Sequence, residues 1–188
     1  MYYTLRRYDP TRDISHIYRV FSDYSEQYKL CSVINTNSLE SFPQLFEKTI
    51  AYDFNDFLII ESENQFAGFL ASYDYQAVDG HIKVMMYLEK KFRRVTEGLA
   101  GIEFVHLLFK YYNIRKIYTE VYAFNTGSIN YQKHIGLKEE CRFKEYKYFD
   151  GKYWDDIFLT VSREEFYEHN RRTIDRYFKD ECFDLNAK

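Results

Sequence analysis

The sequence predicts a mixed α/β domain whose sheet is mostly antiparallel and contains one parallel crossover. Apolar residues near the amino end step by three and four, which indicates helices. In the middle of the chain apolar and polar residues alternate, which indicates strands. A helical segment at residues 98–112 then separates two predicted strands, and a parallel pair requires a connection of this kind. The predicted order is β α α β β β α β α β β, followed by a C-terminal helix.

One strand and two helices are predicted in the first fifty residues. Residues 3–8 form the strand, and Asp9-Pro10-Thr11 ends it and opens the first helix. The second helix follows Ser38, with Pro43 in its first turn, where a helix does not need the amide hydrogen that proline lacks. The apolar positions that define these helices by their spacing are Ile14, Ile17, Tyr18 and Phe21, then Leu39, Phe42, Leu45, Phe46 and Ile50.

Three antiparallel strands are predicted next, at residues 57–60, 66–75 and 82–89. A polar segment at 61–65 and a turn at residues 78–80 separate them. One face of the third strand is uniformly apolar, because alternate side chains point to the same side of a sheet. The residues on this face are Ile82, Val84, Met86 and Leu88.

The second half of the chain alternates between helices and strands. Its predicted elements are the helix 98–112, the strand 116–122, the helix 126–134, and the strands 138–149 and 153–161. Asp150-Gly151 joins the last two strands, because this pair readily adopts the positive φ angles of a tight hairpin turn. The charged segment 163–179 predicts a C-terminal helix outside the main fold. We therefore expect a domain at residues 1–162 and a helical extension at residues 163–188.

Composition and charge narrow the class of protein. Aromatic residues make up 20% of the chain and apolar residues 46%, which supplies a packed core and argues against intrinsic disorder. A net charge of −3 argues against nucleic acid as a partner, because phosphate neutralisation needs a basic surface. The three cysteines form no C-x-x-C motif, which predicts no metal site and a reducing compartment. With no apolar leader and no uninterrupted apolar span, we expect a cytoplasmic protein without a membrane partner.

A basic, glycine-containing segment lies between the third of these strands and the crossover helix. From Lys90 to Gly101 it reads KKFRRVTEGLAG. Amides at a helix start have no acceptor within the helix, the helix dipole adds positive potential, and glycine lets the backbone approach a phosphate closely. These residues predict an anion site, although an ordinary basic loop before a glycine-containing helix would have the same composition.

A second motif, from Asn125 to Leu137, reads NTGSINYQKHIGL. With it the sequence resembles the GCN5-related N-acetyltransferases, in particular the branch of ribosomal-protein N-terminal and spermidine acetyltransferases. The family pattern R/Q-x-x-G-x-G/A corresponds to Val95, Gly98 and Ala100. The resemblance continues through the last hairpin and covers residues 3–166. The residues that match the family's N-x-x-S…K-x-G-F helix are Asn125, Ser128, Lys133, Gly136 and Leu137.

The resemblance implies acetyl-CoA as the co-substrate, in a gap between the strand that ends at Glu89 and the strand 116–122. The backbone of residues 88–90 would bind the thioester carbonyl and the pantetheine, and the amides of residues 95–101 would hold the pyrophosphate. Val95 replaces the usual glutamine or arginine, so Arg93 or Arg94 would supply the cation, and Glu97 adds a negative charge. The implied cofactor-binding residues are Leu88, Glu89, Lys90, Arg93, Arg94, Val95, Thr96, Glu97, Gly98, Leu99, Ala100, Gly101, Asn125 and Ser128.

Tyr131 is the candidate acid that protonates the departing thiolate. The family's tyrosine usually stands one position later, where this chain has Gln132. Both residues lie about one turn beyond Ser128, and glutamine cannot deliver a proton. The hypothesis is therefore that Tyr131 is the donor, with packing under the last hairpin as its alternative role.

Glu120 is the candidate base. It shares a strand face with Tyr118 and Tyr122 and could act directly or through water. His81 and Asp79 are alternatives at the start of the other strand. A deprotonated amine needs only weak assistance when its pKa is modest, so a missing base does not exclude the reaction.

The resulting prediction is an N-acetyltransferase that moves an acetyl group from acetyl-CoA to a primary amine by direct attack in a ternary complex. A polyamine, a protein N-terminus and an amino sugar all stay open as the small-molecule or peptide acceptor. It would dock over the helices of residues 11–40 and the last hairpin, where carboxylates suit a cationic amine. These carboxylates are Asp23, Glu26, Glu40, Asp155 and Asp156.

Two alternative functions and a possible homodimer surface accompany this prediction. The departures at Val95, Glu97 and Gln132 favour a non-catalytic acyl-CoA-binding or regulatory module. An aromatic-rich interaction protein would leave the segment before Gly101 unexplained. The aromatic runs at residues 111–112 and 146–149 predict packed core or the surface of a homodimer.

Overall fold

The computed structural model describes residues 3–23, 25–26, 30, 38, 40–178 and 183–185. Within these residues the strands are β1 (Tyr3–Arg7), β2 (Phe54–Ser62), β3 (Gln65–Gln76), β4 (His81–Leu88), β5 (Lys116–Tyr122), β6 (Lys138–Phe149) and β7 (Lys152–Ser162). The helices are α1 (Pro10–Ser22), α2 (Phe42–Tyr52), α3 (Val95–Tyr111), α4 (Thr126–His134) and α5 (Arg163–Tyr177). A single 3₁₀ turn, Lys90–Phe92, precedes α3.

The strands form one sheet in the order β1-β2-β3-β4-β5-β7-β6. Every neighbouring pair is antiparallel except β4 and β5, which are parallel. The fold class predicted from the sequence is therefore confirmed. The parallel pairing covers only His81–Lys83 on β4 and Lys116–Tyr118 on β5. Beyond this region β4 and β5 no longer pair with each other, although each stays paired with its other neighbour. A gap therefore opens in the middle of the sheet, toward the carboxyl ends of the two strands.

Helices cover both faces of the sheet. On one face, α1 and α2 pack on an aromatic core that includes Phe21, Phe46 and Phe69. The other face carries α3 and α5. The predicted C-terminal helix is present, but Phe166 and Ile174 are buried in the same core as α3. The expectation that this helix lies outside the main fold is thus wrong, because its apolar face needs that core for burial; the domain boundary at residue 162 stays a prediction.

Most predicted elements agree with the structure to within a few residues, and the differences have physical causes. The crossover helix begins at Val95 rather than 98, since Arg94 already has the extended conformation of a cap residue. Strand β2 begins at Phe54 rather than 57, because Phe54 pairs with Tyr73 across the sheet. Leu39, which was predicted to lie in the second helix, is outside the described residues.

Gly68 fixes the distance between β3 and β4 at the end of the paired region. A Cβ atom at this position would lie 2.0 Å from the carbonyl oxygen of Tyr87, which is backbone and cannot swing away. We expect Gly68→Ala to reduce the free energy of unfolding by about 3 kcal/mol, the upper end for overpacking. Thermal denaturation checks this, with Gly127→Ala as the control, because no described atom lies within 4 Å of a Cβ there. Equal melting temperatures for the two variants would contradict the close approach.

The described residues contain no helix with the length and apolar character needed to span a membrane. They also contain no group of three or more His, Cys, Asp or Glu side chains arranged to hold a metal ion.

Candidate active site

A cavity of about 410 Å³ passes through the gap between β4 and β5. This volume lies in the range of small-molecule sites, and the carboxyl ends of strands are where open α/β sheets bind ligands. On the α3 side it is lined by Met86, Gly98 and Gly101, and on the α1 side by Glu26 and Tyr87. Both faces of the sheet therefore reach one continuous space.

The exposed edge of β4 presents peptide groups to this space. The Glu89 amide donates to the Ala67 carbonyl oxygen at 2.8 Å, toward β3. Because hydrogen-bonding directions alternate along an antiparallel strand, the peptide groups of Met86 and Leu88 point the other way, into the gap. The Leu88 carbonyl there accepts a hydrogen bond from Arg93 Nε at 2.9 Å. Leu88 thus lies at the gap, whereas the Glu89 amide donates toward β3. The sequence analysis did not name Met86 as a site residue.

The amino end of α3 opens onto the same cavity. Its cap residue, Arg94, makes no side-chain hydrogen bond to the first turn, whose amides have no acceptor within the helix. Arg94 forms an ion pair with Glu63 at 3.2 Å, and Arg93 forms one with Glu26 at 3.2 Å. Two cations therefore flank this helix start, each paired with a carboxylate.

The other residues of the predicted phosphate segment have different surroundings. Ala100 is fully buried, and Leu99 packs against the core, so neither side chain faces the ligand space. Lys90 begins the 3₁₀ turn, and Thr96 lies in the first turn of α3. The side chains of Val95 and Glu97 are outside the described part of the chain.

Tyr131 spans the cavity from α4 to α3. Its hydroxyl donates to the Gly98 carbonyl oxygen at 2.6 Å, and burial raises the pKa of this phenol. A Cβ at Gly101 would lie 2.2 Å from the Tyr131 hydroxyl and 3.0 Å from the Met86 sulfur. Glycine at position 101 therefore leaves the space that the hydroxyl occupies, next to the gap-facing edge of β4.

Asn125 and Gln132 organise the cavity wall formed by α4. The Asn125 side chain caps the helix by accepting from the Ser128 amide at 3.4 Å. Gln132 donates from Nε2 to the Ser128 hydroxyl at 2.9 Å and accepts a hydrogen bond from the Thr119 hydroxyl. Gln132 is therefore held between α4 and β5. The sequence analysis missed Thr119, whose only signal is its position beside Glu120.

Glu120 lies on β5 and lines the cavity on the α1 side of the sheet. It is half-buried and hydrogen-bonds the carboxyl group of Asp156 on β7. Burial raises the pKa of Glu120, and burial together with the Glu120 carboxyl raises the pKa of Asp156 to about 7. The alternative bases, His81 and Asp79, are not among the described residues that line the cavity.

The carboxylates predicted to attract a cationic acceptor are not equivalent. Glu26 lines the cavity and pairs with Arg93. Asp155 forms ion pairs with Arg142 at 3.0 Å and Lys144 at 3.1 Å. Asp23 accepts from the Ser25 amide, and Glu40 is exposed. Glu26, Glu120 and the adjoining Asp156 are thus the carboxyl groups that the fold brings to the α1 side of the gap.

The sheet parts between two parallel strands, and the amino end of a helix lies at the opening. Residues 9–158 match the family model of the acetyltransferase (GNAT) domain, and the chain belongs to this family. The predicted enzyme class, an N-acetyltransferase, is confirmed, and acetyl-CoA is the acetyl donor of this family.

Known proteins with similar sequences or structures agree with this assignment. An SPbeta prophage-derived uncharacterized N-acetyltransferase, YokL, from Bacillus subtilis (strain 168) is 24% identical over 133 residues, 69% of this chain and 73% of that protein. The structure of spermidine N-acetyltransferase from Vibrio cholerae with CoA and spermine matches this chain with a TM-score of 0.76 at 15% identity. The match covers 88% of this chain and 98% of that protein's chain. A dodecameric structure of spermidine N-acetyltransferase from the same organism has a TM-score of 0.73 at 16% identity, covering 90% of this chain and 98% of its own. At these identities the structures show the fold, and the predicted homodimer stays a prediction.

Proposed function

We propose that this protein acetylates a small cationic primary amine, with acetyl-CoA on the α3 side of the sheet and the amine on the α1 side. The observation that supports this most strongly is the continuous cavity through the gap between β4 and β5. Transfer in a ternary complex requires donor and acceptor to meet from opposite sides at one point. Met86 and Leu88 on β4 and Glu120 on β5 border that point.

The described residues fit acetyl-CoA in shape and in chemistry. The pantetheine arm contains amides, and the gap-facing peptide groups of Met86 and Leu88 match amides in an extended arrangement. The pyrophosphate is an anion, and the first turn of α3 offers backbone amides with Arg93 and Arg94 beside it. Gly98 keeps this surface free of a side chain. Acetyl-CoA supplies the electrophilic thioester carbon and a thiolate leaving group.

In the proposed reaction Glu120 accepts a proton from the amine as the nitrogen attacks. Its carboxyl lines the acceptor side of the cavity, and its raised pKa makes it a stronger base than an exposed glutamate. Tyr131 donates its phenolic proton to the departing thiolate. Because burial raises its pKa, the phenol stays protonated near neutral pH and is available as an acid.

Charge on the acceptor side supports a cationic amine over an amino-sugar nucleotide. Glu26 and Glu120 bring carboxyl groups to this part of the cavity. A phosphate-bearing acceptor would be repelled there, whereas a diamine or polyamine would be attracted. Proteins that share this fold at a TM-score of 0.76 include a spermidine N-acetyltransferase. A polyamine is therefore the acceptor class that we propose.

Acetyl-CoA is expected to raise the melting temperature of the protein. At a hundredfold excess over Kd a ligand that binds only the folded state adds about 2.7 kcal/mol, or roughly 5–10 °C for a chain of this size. Gly98→Asp places a carboxylate beside the phosphate site and should abolish this shift. Gly98→Ala is the matched control, because its Cβ meets only the Tyr131 ring, at 3.5 Å. No shift in the wild-type protein with millimolar acetyl-CoA or CoA would contradict the proposed cofactor site.

A further inference from the structure

We infer, given the proposed function, that Asp156 is a positioning residue that shares a proton with Glu120 and sets the pH range in which Glu120 accepts a proton from the amine. Asp156 has no direct access to the cavity, since only 2% of its surface is exposed. It therefore acts through Glu120, which touches the acceptor.

The sheet register brings the two carboxyl groups together. On β7, Asp156 stands opposite Tyr122, while Phe158 stands opposite Glu120. Glu120 and Asp156 are thus diagonal neighbours on one face of the sheet, and their carboxyl groups share a hydrogen bond. A hydrogen bond between two carboxyl groups requires a proton on one of them, because an ionised carboxylate has only acceptors. When one of the two carboxyl groups is protonated, this diagonal placement lets its proton form the hydrogen bond between them.

Besides Glu120, the Ile157 backbone amide donates a hydrogen bond to the Asp156 carboxyl group. Within the described part of the chain, no donor reaches Asp156 Oδ1. A buried polar atom without a donor is costly, and a shared proton with Glu120 removes the cost. Removal of the last proton from the pair leaves two negative charges side by side in a half-buried setting. Such a pair gives up this proton at a higher pH than a lone carboxyl does.

Charged and titratable groups from each neighbouring strand face this pair. Lys83 on β4 acts on Glu120 while it pairs with Asp74 at 3.0 Å. Lys147 on β6 acts on both carboxyl groups, and its Nζ lies 5.6 Å from the centre of the Tyr122 ring. These two cations favour the ionised pair. Burial and the mutual repulsion of the carboxyl groups oppose them and dominate, so that the pKa of Asp156 rises to about 7.

Two further titratable side chains lie on this face of the sheet. Tyr118 is on β5, two residues before Glu120, and the His81 ring packs edge-on against it at 5.3 Å. His81 stands at the start of β4, where the parallel pairing with β5 begins.

The shared proton gives Glu120 a defined role in the transfer. With both carboxyl groups ionised, Glu120 takes the proton as the N–H bond of the amine breaks, and the pair returns to its singly protonated state. The nitrogen forms the new C–N bond with the acetyl carbon, the C–S bond breaks, and its electron pair leaves on sulfur, which Tyr131 protonates. A base that holds its proton near neutral pH accepts one more readily than a lone surface glutamate.

The pH dependence of kcat/KM tests this role in the Asp156→Asn variant. Asparagine keeps the shape and can donate a hydrogen bond to Glu120, but it removes the neighbouring charge, so the pKa of Glu120 falls. We expect the rise of kcat/KM with pH to move at least about one pH unit lower, and kcat on the plateau to fall about tenfold because the base is weaker. Asp155→Asn is the matched control. It removes an equal charge from the next residue, whose carboxylate pairs with Arg142, and should leave the pH profile in place.

A purely structural role for Asp156 would leave the wild-type pH profile unchanged in Asp156→Asn, and that result overturns the inference. We expect this variant to fold, because it removes a carboxyl group whose burial opposes ionisation. Carboxyl carbon NMR of the wild-type protein gives a second test that needs no variant. A Glu or Asp resonance that titrates well above the usual carboxyl range supports the pair, and its absence overturns it. Acetyl-CoA thermal shifts in each variant separate these outcomes from failure of the cofactor site itself.

Discussion

Glu120→Gln is expected to lower kcat at saturating substrates by about a hundredfold or more. Glutamine keeps the size of the side chain but cannot accept the proton of the amine, and loss of a general base typically costs this much. The KM for acetyl-CoA should stay close to the wild-type value, because Glu120 lies on the acceptor side of the sheet. Initial rates of thiol release measure both constants.

Glu139→Gln is the control for this substitution. Glu139 lies on β6 and pairs with Arg142 at the surface, away from the residues that line the cavity. Its removal should leave kcat unchanged. Should Glu120→Gln retain most of the wild-type turnover while Asp156→Asn also leaves the pH profile intact, the amine loses its proton without this pair of carboxyl groups.

Tyr131→Phe is expected to reduce turnover by about a hundredfold, the low end for loss of a general acid, because CoA thiolate is already a good leaving group. The variant keeps the aromatic ring and loses the hydrogen bond to the Gly98 carbonyl, which should cost about 1 kcal/mol of folding stability. Steady-state kinetics and thermal denaturation together separate the chemical effect from the structural one.

Gln132→Ala tests the neighbouring position on α4. Gln132 is held by Ser128 and Thr119 and has no acidic proton to give, so this variant should retain most of its turnover. The opposite pattern, an active Tyr131→Phe and an inactive Gln132→Ala, would show that position 132 supports the reaction and that Tyr131 does not protonate the thiolate.

Local sequence signals account for much of the fold. The bounds of β5, α4 and β6 agree with the sequence prediction, because each of these elements ends at a clear change of pattern. Asp150 and Gly151 have φ angles of 50° and 81°, as a tight hairpin turn requires. Strand β2 is longer than predicted because its first residues are set by pairing with β3, which no local pattern reveals.

Some features of the candidate site are likewise indicated by adjacent residues, whereas others depend on contacts between distant elements. The basic segment before α3 and the Asn125 motif are continuous in sequence, so their composition indicates an anion site and a helix cap. Asp156 could be predicted only as one of several acceptor carboxylates. Its contact with Glu120 depends on β7 lying between β5 and β6, which is a property of the whole sheet.

Met86 and Gly101 show the same dependence on tertiary structure. The alternation along β4 places Met86 on an apolar face but does not show that β5 parts from β4 beside it. Gly101 belongs to the family motif region, and only the structure shows that its missing side chain gives space to the Tyr131 hydroxyl. Both features require knowledge of which elements meet across the gap.

The most direct test of the proposed function is a thiol-release assay with acetyl-CoA and a panel of primary amines, combined with mass spectrometry of the products. The panel contains diamines, polyamines, peptides with a free N-terminus and amino-sugar nucleotides. We predict that thiol release and N-acetylated amine appear in equal amounts, fastest with the diamines and polyamines. Binding of acetyl-CoA without an acetylated product from any amine, or thiol release by hydrolysis alone, would contradict the proposed function.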